Sequence, residues 1–185
     1  MYGIEILVYE HDQILVLTKT IRKWMESILH GEEILAEEVR DFIDIIRNYT
    51  DAHHHGKEEE ILFSYMLKEL GPVAEKVVRQ GMLVEHDQAR GIVRDWEEAL
   101  NRWEENPTEE GKVDLIGLGY SYARLLEAHA TRENDVVYPF AERNLSEESK
   151  EKVDELSRSY EEEKEKFGVQ KKYLQKLKVL SDKYL

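Results

Sequence analysis

A chain of 185 residues can bury the core of one domain, and the absence of cysteine excludes disulfides, thiolate metal sites, iron–sulfur ligation and covalent c-type haem. Its 40 acidic residues against 26 basic ones leave a net charge of -14, a surface that repels phosphate backbones, so no nucleic-acid partner is expected. No stretch approaches the roughly 18 apolar residues of a membrane span. The opening MYGIEILVYEHDQ lacks the basic flank and apolar run of a secretion signal, so no membrane contact is expected and the cytoplasm is the expected location.

Taken in chain order, the 3.6-residue period predicts a helix from about Tyr2 to Leu29, with Ile4, Leu7, His11, Ile14 and Leu15 on one face and Gly31 at its end. A second runs from about Ala36 to Leu70 and carries Ile43, Ile46, His54, Ile61 and Tyr65. Gly71-Pro72 stops it and suits the first turn of the next. The third continues to about Trp103 through Met82, His86, Val93 and Leu100. After the turn Asn106-Pro107-Thr108, a fourth reaches about Asn144 through Leu115, Tyr122, His129 and Val136. The expected fold is all-α, an up-down-up-down four-helix bundle over residues 1–145.

From Ser146 the character changes. Residues 146–185 hold 10 basic and 10 acidic residues, so the whole net charge lies in the first 145. The tail keeps an apolar stripe through Val153, Leu156, Tyr160, Phe167, Leu174 and Leu177, and Gly168 divides it in two. An amphipathic extension must cover something. It is expected to pack on the bundle or on a second copy of the chain, as in a homodimer.

One repeat dominates the chain. The tetrapeptide EHDQ occurs at Glu10–Gln13 and again at Glu85–Gln88, and each of its histidines is followed 43 residues later by another, His11 by His54 and His86 by His129. Four residues beyond those stand Glu58 and Glu133. Residues i and i+4 share a helix face, so His54/Glu58 and His129/Glu133 each form a two-ligand claw. Alternating helix direction brings all six side chains to one level, around a pseudo-two-fold axis suited to two metal ions. Buried without partners, such groups would each cost several kcal/mol.

The triplet His53-His54-His55 needs a choice of face. His54 has Ile46 and Ile43 upstream and Ile61 downstream, whereas His55 has Asp51, Asn48 and Asp44 upstream and His53 pairs with Lys57. His54 is therefore the inward residue, with His53 and His55 expected to face solvent or to support the ligands. His30, at a helix C-terminus, has no expected metal role. Four imidazoles with two carboxylates suit paired iron; zinc usually needs only four ligands, and manganese remains open. The Glu-x-x-His signature of ferritin-type bundles is missing, since Asp51, Leu83 and Leu126 precede the three later histidines at that spacing.

In EHDQ around His11, HHHGKEEEILF around His54 and Glu58, EHDQ around His86, and HATRENDVVYP around His129 and Glu133, residues 1 to about 145 resemble the hemerythrin-like, HHE cation-binding family. The resemblance implies a non-haem di-iron centre bridged by two carboxylates and an oxo or hydroxo group, with His11, His54, Glu58, His86, His129 and Glu133 as ligands. Oxygen-carrying members resemble this chain but have a second histidine four residues along the third helix, where this chain has Arg90. With four histidines, each iron would keep one open position, which argues against simple oxygen carriage.

The expected function is a non-haem di-iron protein interacting with oxygen, nitric oxide or peroxide in sensing, storage or stress defence. The alternatives are a redox enzyme that consumes peroxide or nitric oxide or repairs damaged iron centres, and iron buffering. Tyr65 and Tyr122 are expected to face inward near the metals. Arg90 either pairs with an acid such as Asp87 or stabilises negative charge on a bound ligand.

Overall fold

The computed structural model describes residues 1–185, and all of its regular structure is helical. Helix α1 is Tyr2–Leu29. Helix α2 covers residues 36–69, beginning as Ala36–Ile45 and ending as Phe63–Glu69. Helix α3 covers residues 71–105 and α4 residues 109–144. Two further helices, α5 (Glu147–Lys166) and α6 (Val169–Tyr184), form the C-terminal extension. Gly31, Gly71 and Gly168 take positive φ at three of the turns. At the remaining turns Thr108 and Ser146 cap α4 and α5 by accepting the backbone N–H groups of Gly111 and Ser149.

The order of buried residues along each helix gives the topology. One apolar cluster contains Ile14 to Ile28 of α1, Val39 to Tyr49 of α2, Ala89 to Leu100 of α3 and Leu115 to Leu126 of α4. The other contains Ile4 and Leu7 of α1, Ile61 to Met66 of α2, Ala74 to Met82 of α3 and Val137 to Leu145 of α4. The chain thus crosses from one cluster to the other in alternate directions, up, down, up and down. Between the clusters each helix contributes buried polar residues: Glu10 and His11, then His53 to Glu58, then His86, then His129 and Glu133. A polar layer is held between two apolar ends. The larger end is built on Trp24, Phe42 and Trp96, whose rings lie 5.9–6.3 Å apart, with both tryptophans fully buried. Truncating either tryptophan would cost about 3–5 kcal/mol.

The bundle is not regular α-helix throughout. Ile46–His55, Glu58–Leu62, Glu75–Met82 and Glu133–Val137 are π-helical. Each wide turn carries one more residue than an α-turn, and such turns concentrate at functional sites. The last has a local cause: Pro139 has no N–H to donate and its ring crowds the preceding turn, so the helix widens before it.

The extension packs on the bundle. Tyr173, Leu177 and Leu180 of α6 join the larger apolar cluster, and Lys176 bonds Asp41 and Asp44 of α2 at 2.8 and 2.6 Å. Helix α5 crosses the start of α1, where a Cβ on Gly3 would stand 2.9 Å from Ser157 Oγ and Val153 Cγ1.

Candidate metal centre

The six residues singled out by the repeat, His11, His54, Glu58, His86, His129 and Glu133, all lie in the polar layer, each at most 2% exposed. Two groups form there, each with its ligand atoms within 4.8 Å of one another: His11, His54, Glu58 and Glu133, and His55, Glu58, His86 and His129. Glu58 belongs to both. Its Oε2 lies 3.6 Å from His54 Nε2 and 3.5 Å from His86 Nε2. Glu133 Oε2 also reaches both groups, 3.1 Å from His11 Nε2 and 3.1 Å from His129 Nε2. Each of the two carboxylates stands between the two groups.

His55 is a correction. Expected at the solvent or in support, it is buried and its ring lies 3.8 Å from that of His86, the planes inclined by only 10°. The reason is the π-helical run Ile46–His55, in which the Gly56 N–H bonds the Asp51 carbonyl five residues back. The wider turn breaks the α-period used to choose the inward face and lets two consecutive residues, His54 and His55, turn inward together. His53 takes the supporting place: it is buried, with Nε2 2.9 Å from Glu10 Oε1, the acid behind His54. The layer therefore holds five imidazoles around the two carboxylates, three in one group and two in the other. The asymmetry has a simple origin, since the residue after His129 is Ala130 where the residue after His54 is His55.

Each of the five rings is oriented from behind. The Nδ1 atoms of His54 and His129 face Glu10 and Glu85 at 2.9 and 2.7 Å, so the glutamate of each EHDQ holds the histidine of the other helix in its half. The Nδ1 atoms of His11 and His86 face Asn134 and Glu59 at 2.8 and 2.7 Å, each the residue that follows a claw glutamate. His55 Nδ1 lies 3.3 Å from Asp51. An Nδ1–H donated to an outer carboxylate or amide fixes the tautomer and leaves the Nε2 lone pair aimed into the layer, the arrangement of a metal-ligating histidine.

Those inward atoms have too few partners. His54 Nε2, His55 Nε2, Glu58 Oε2 and both carboxylate oxygens of Glu133 are buried with no hydrogen bond. With the tautomers fixed, nitrogen lone pairs face carboxylate lone pairs, which only protons or cations can reconcile. The titration of the groups shows the same tension. Burial and the neighbouring Glu133 push Glu58 well above the carboxylate range. Against the effect of burial, His129 and His11 hold Glu133 well below it. His129, although buried, is raised to about 9 by Glu133 and Glu85. Burial lowers His54 to about 3. The donor set fits hard or borderline divalent cations, which supply the missing charge.

The family comparison agrees with this geometry. Residues 2–141 match the hemerythrin HHE cation-binding domain. The chain belongs to this family. A comparison with curated proteins gives no match. The matched region contains both groups, and the family implies a metal-binding site where the buried histidines and glutamates stand. No helix is long and apolar enough to cross a membrane.

Tyr138 was not anticipated. Its hydroxyl donates to Glu58 Oε1 at 2.6 Å and lies 3.4 Å from His11 Nε2. It stands five residues after Glu133, off the α-period but on the π-period, and its N–H bonds the Glu133 carbonyl. The sequence signal that marks it is the following Pro139, which forces the wide turn. Tyr65 is a further correction: it is half-buried at the apolar end, with Lys68 over its ring, not at the centre. Tyr122 is buried beside a cavity of about 140 Å³ that also touches His55, Thr50, Ala89 and Arg90. Arg90 is committed to acids. It bonds Asp51 at 2.9 Å, Glu59 at 2.7 Å and Asp87 at 3.1 Å, and so holds the two carboxylates that orient His55 and His86.

Proposed function

We propose that the chain is a non-haem di-iron protein of the polar layer. His11 and His54 hold one ion, His55, His86 and His129 hold the other, and Glu58 and Glu133 bridge them. The observation that carries this reading is the three-to-two division of five inward Nε2 atoms about two carboxylates that each reach both groups. With an oxo or hydroxo bridge, the three-histidine ion would have a full set of six ligands and the two-histidine ion one position to spare. On this reading the ligands number five histidines, and the argument from four against oxygen carriage lapses.

When bound, such a pair supplies reversible one- and two-electron chemistry toward oxygen, nitric oxide or peroxide. The chain's own residues set the terms. The apolar clusters on both sides exclude bulk water from the layer. The outer carboxylates keep the imidazoles in the ligating tautomer. A layer enclosed in this way leaves room beside its buried ligands for a molecule of a few atoms only, which suits a diatomic or peroxidic ligand in sensing, storage or stress defence. A redox enzyme consuming peroxide or nitric oxide is the second reading. The observation in its favour is Tyr138, a phenol hydrogen-bonded to Glu58 beside the two-histidine group, where it can hold or give a proton.

The test is metal analysis of protein grown with iron, followed by spectra of the reduced form before and after oxygen, nitric oxide and peroxide. Two irons per chain are expected. An oxygenated spectrum that reverses under vacuum supports binding, and rapid irreversible oxidation supports the enzyme. One zinc per chain with no uptake of ferrous iron overturns the di-iron reading.

A further inference from the structure

Lys57 and Arg132 occupy matching places in the two halves of the repeat, each three residues after a claw histidine and just before a claw glutamate. Each braces the EHDQ glutamate of its half. Lys57 Nζ donates to Glu10 Oε1 at 2.5 Å, and Arg132 bonds Glu85 Oε1 at 2.6 Å. Behind His54 and His129, therefore, the two halves use the same device. Their surroundings differ. Arg132 is 44% exposed, whereas Lys57 is 1% exposed, beneath the C-terminal extension.

A buried ammonium is costly unless well paired. The extension supplies the second partner: Glu161 of α5 contacts Lys57 and lies 3.5 Å from His53 Nε2. Glu10, His53 and Glu161 could by themselves suggest a third cation site, but Lys57 already places a cation among them. The position of Glu161 is tightly determined. Next to it, Tyr160 donates its hydroxyl to the Ala52 carbonyl at 2.9 Å, and a Cβ on Gly56 would stand 2.9 Å from that hydroxyl oxygen.

We propose that Glu161 is a positioning residue for the metal centre, acting through Lys57 and Glu10 on His54, so that the two-histidine position depends on the C-terminal extension. This rests on the di-iron reading of the layer. The physical argument is charge sharing. With Glu161 present, the Lys57 ammonium is attracted by two carboxylates, bonded to Glu10 and ion-paired with Glu161, and the trio carries one net negative charge behind His54. Without Glu161, the ammonium falls wholly on Glu10. Glu10 then accepts the His54 Nδ1–H less strongly, the His54 Nε2 lone pair becomes a weaker donor, and the net negative charge is lost. No counterpart exists at Glu85, so the three-histidine position is untouched.

The test uses the full chain and the variants Glu161→Gln and Glu162→Gln, the second removing an equal charge from an exposed neighbouring position of the same helix. Anaerobic ferrous-ion titration reads the two affinities, and proton NMR reads the His54 Nδ1–H resonance in the metal-free protein. Glu161→Gln should weaken one ion by about tenfold, as losses of outer partners do, leave the other unchanged and shift that resonance. Glu162→Gln should do none of these. Two unchanged affinities with an unmoved resonance overturn the proposal, and so does an equal weakening of both ions. If the wild-type chain takes up no metal, the di-iron reading fails, and the resonance alone decides whether Glu161 positions His54.

Discussion

His55 stacks on His86 with ring centroids 3.8 Å apart, and the acids behind the two rings, Asp51 and Glu59, are joined by one guanidinium, that of Arg90. On the proposed di-iron reading, His55 takes the part of the histidine absent four residues beyond His86, and Arg90, which stands in that place, braces the acid behind it.

His55→Ala should therefore cost one metal position. The expected titration shows one ion binding as in the wild type and the other weaker by at least about tenfold, the lower bound for loss even of an outer partner. His30→Ala, at an exposed helix end, should change neither. Full retention of two ions by His55→Ala would return the centre to four histidines.

Arg90→Leu should keep the fold, because the side chain is largely at the surface and its bonds are to acids. The position served by His55 and His86 should weaken by about tenfold, since Asp51 and Glu59 lose their common donor. Arg90→Lys should not restore it, because a compact ammonium lacks the planar fork that reaches both carboxylates. Restoration by lysine would reduce the role of Arg90 to charge alone.

Tyr138→Phe removes the only hydrogen bond given to Glu58 Oε1. A buried acceptor left without its donor costs about 1–3 kcal/mol. Denaturant unfolding of the metal-free protein should show that loss. Metal should recover part of it by taking over the carboxylate, so the difference between variant and wild type should shrink on loading. A difference that is the same with and without metal would place Tyr138 outside the centre.

Metal loading at pH 7 should release protons. His129 is raised to about 9 despite its burial, through Glu133 and Glu85, so in the metal-free protein it is protonated at neutral pH and must lose that proton to ligate. Apparent affinity should rise with pH until about 9. The sign for the metal-free fold is opposite. A histidine whose folded pKa exceeds its unfolded 6.5 contributes stability that is complete below 6.5 and lost as pH rises through about 9. Calorimetry in buffers of different ionisation enthalpy measures the release, and a heat independent of buffer would refute it.

Much of this molecule is legible in one dimension. Helix limits follow from Gly31, Gly71-Pro72, Asn106-Pro107-Thr108 and Gly168, because backbone punctuation acts locally. The doubled spacing of His11, His54, Glu58, His86, His129 and Glu133 places six side chains on inward faces, and the structure gathers them in one layer. What the sequence conceals depends on hydrogen-bond register and on long-range contact. His55 and Tyr138 reach the centre through π-turns, whose i→i+5 bonds no apolar period of 3.6 announces. Lys57 enters the sequence only as the partner of His53 at helical spacing; its burial depends on Glu161, from the other end of the chain. Periodicity records which face of a helix is buried. Only the packed structure decides which polar groups meet there, because burial forces each of them to find a partner wherever the fold supplies one.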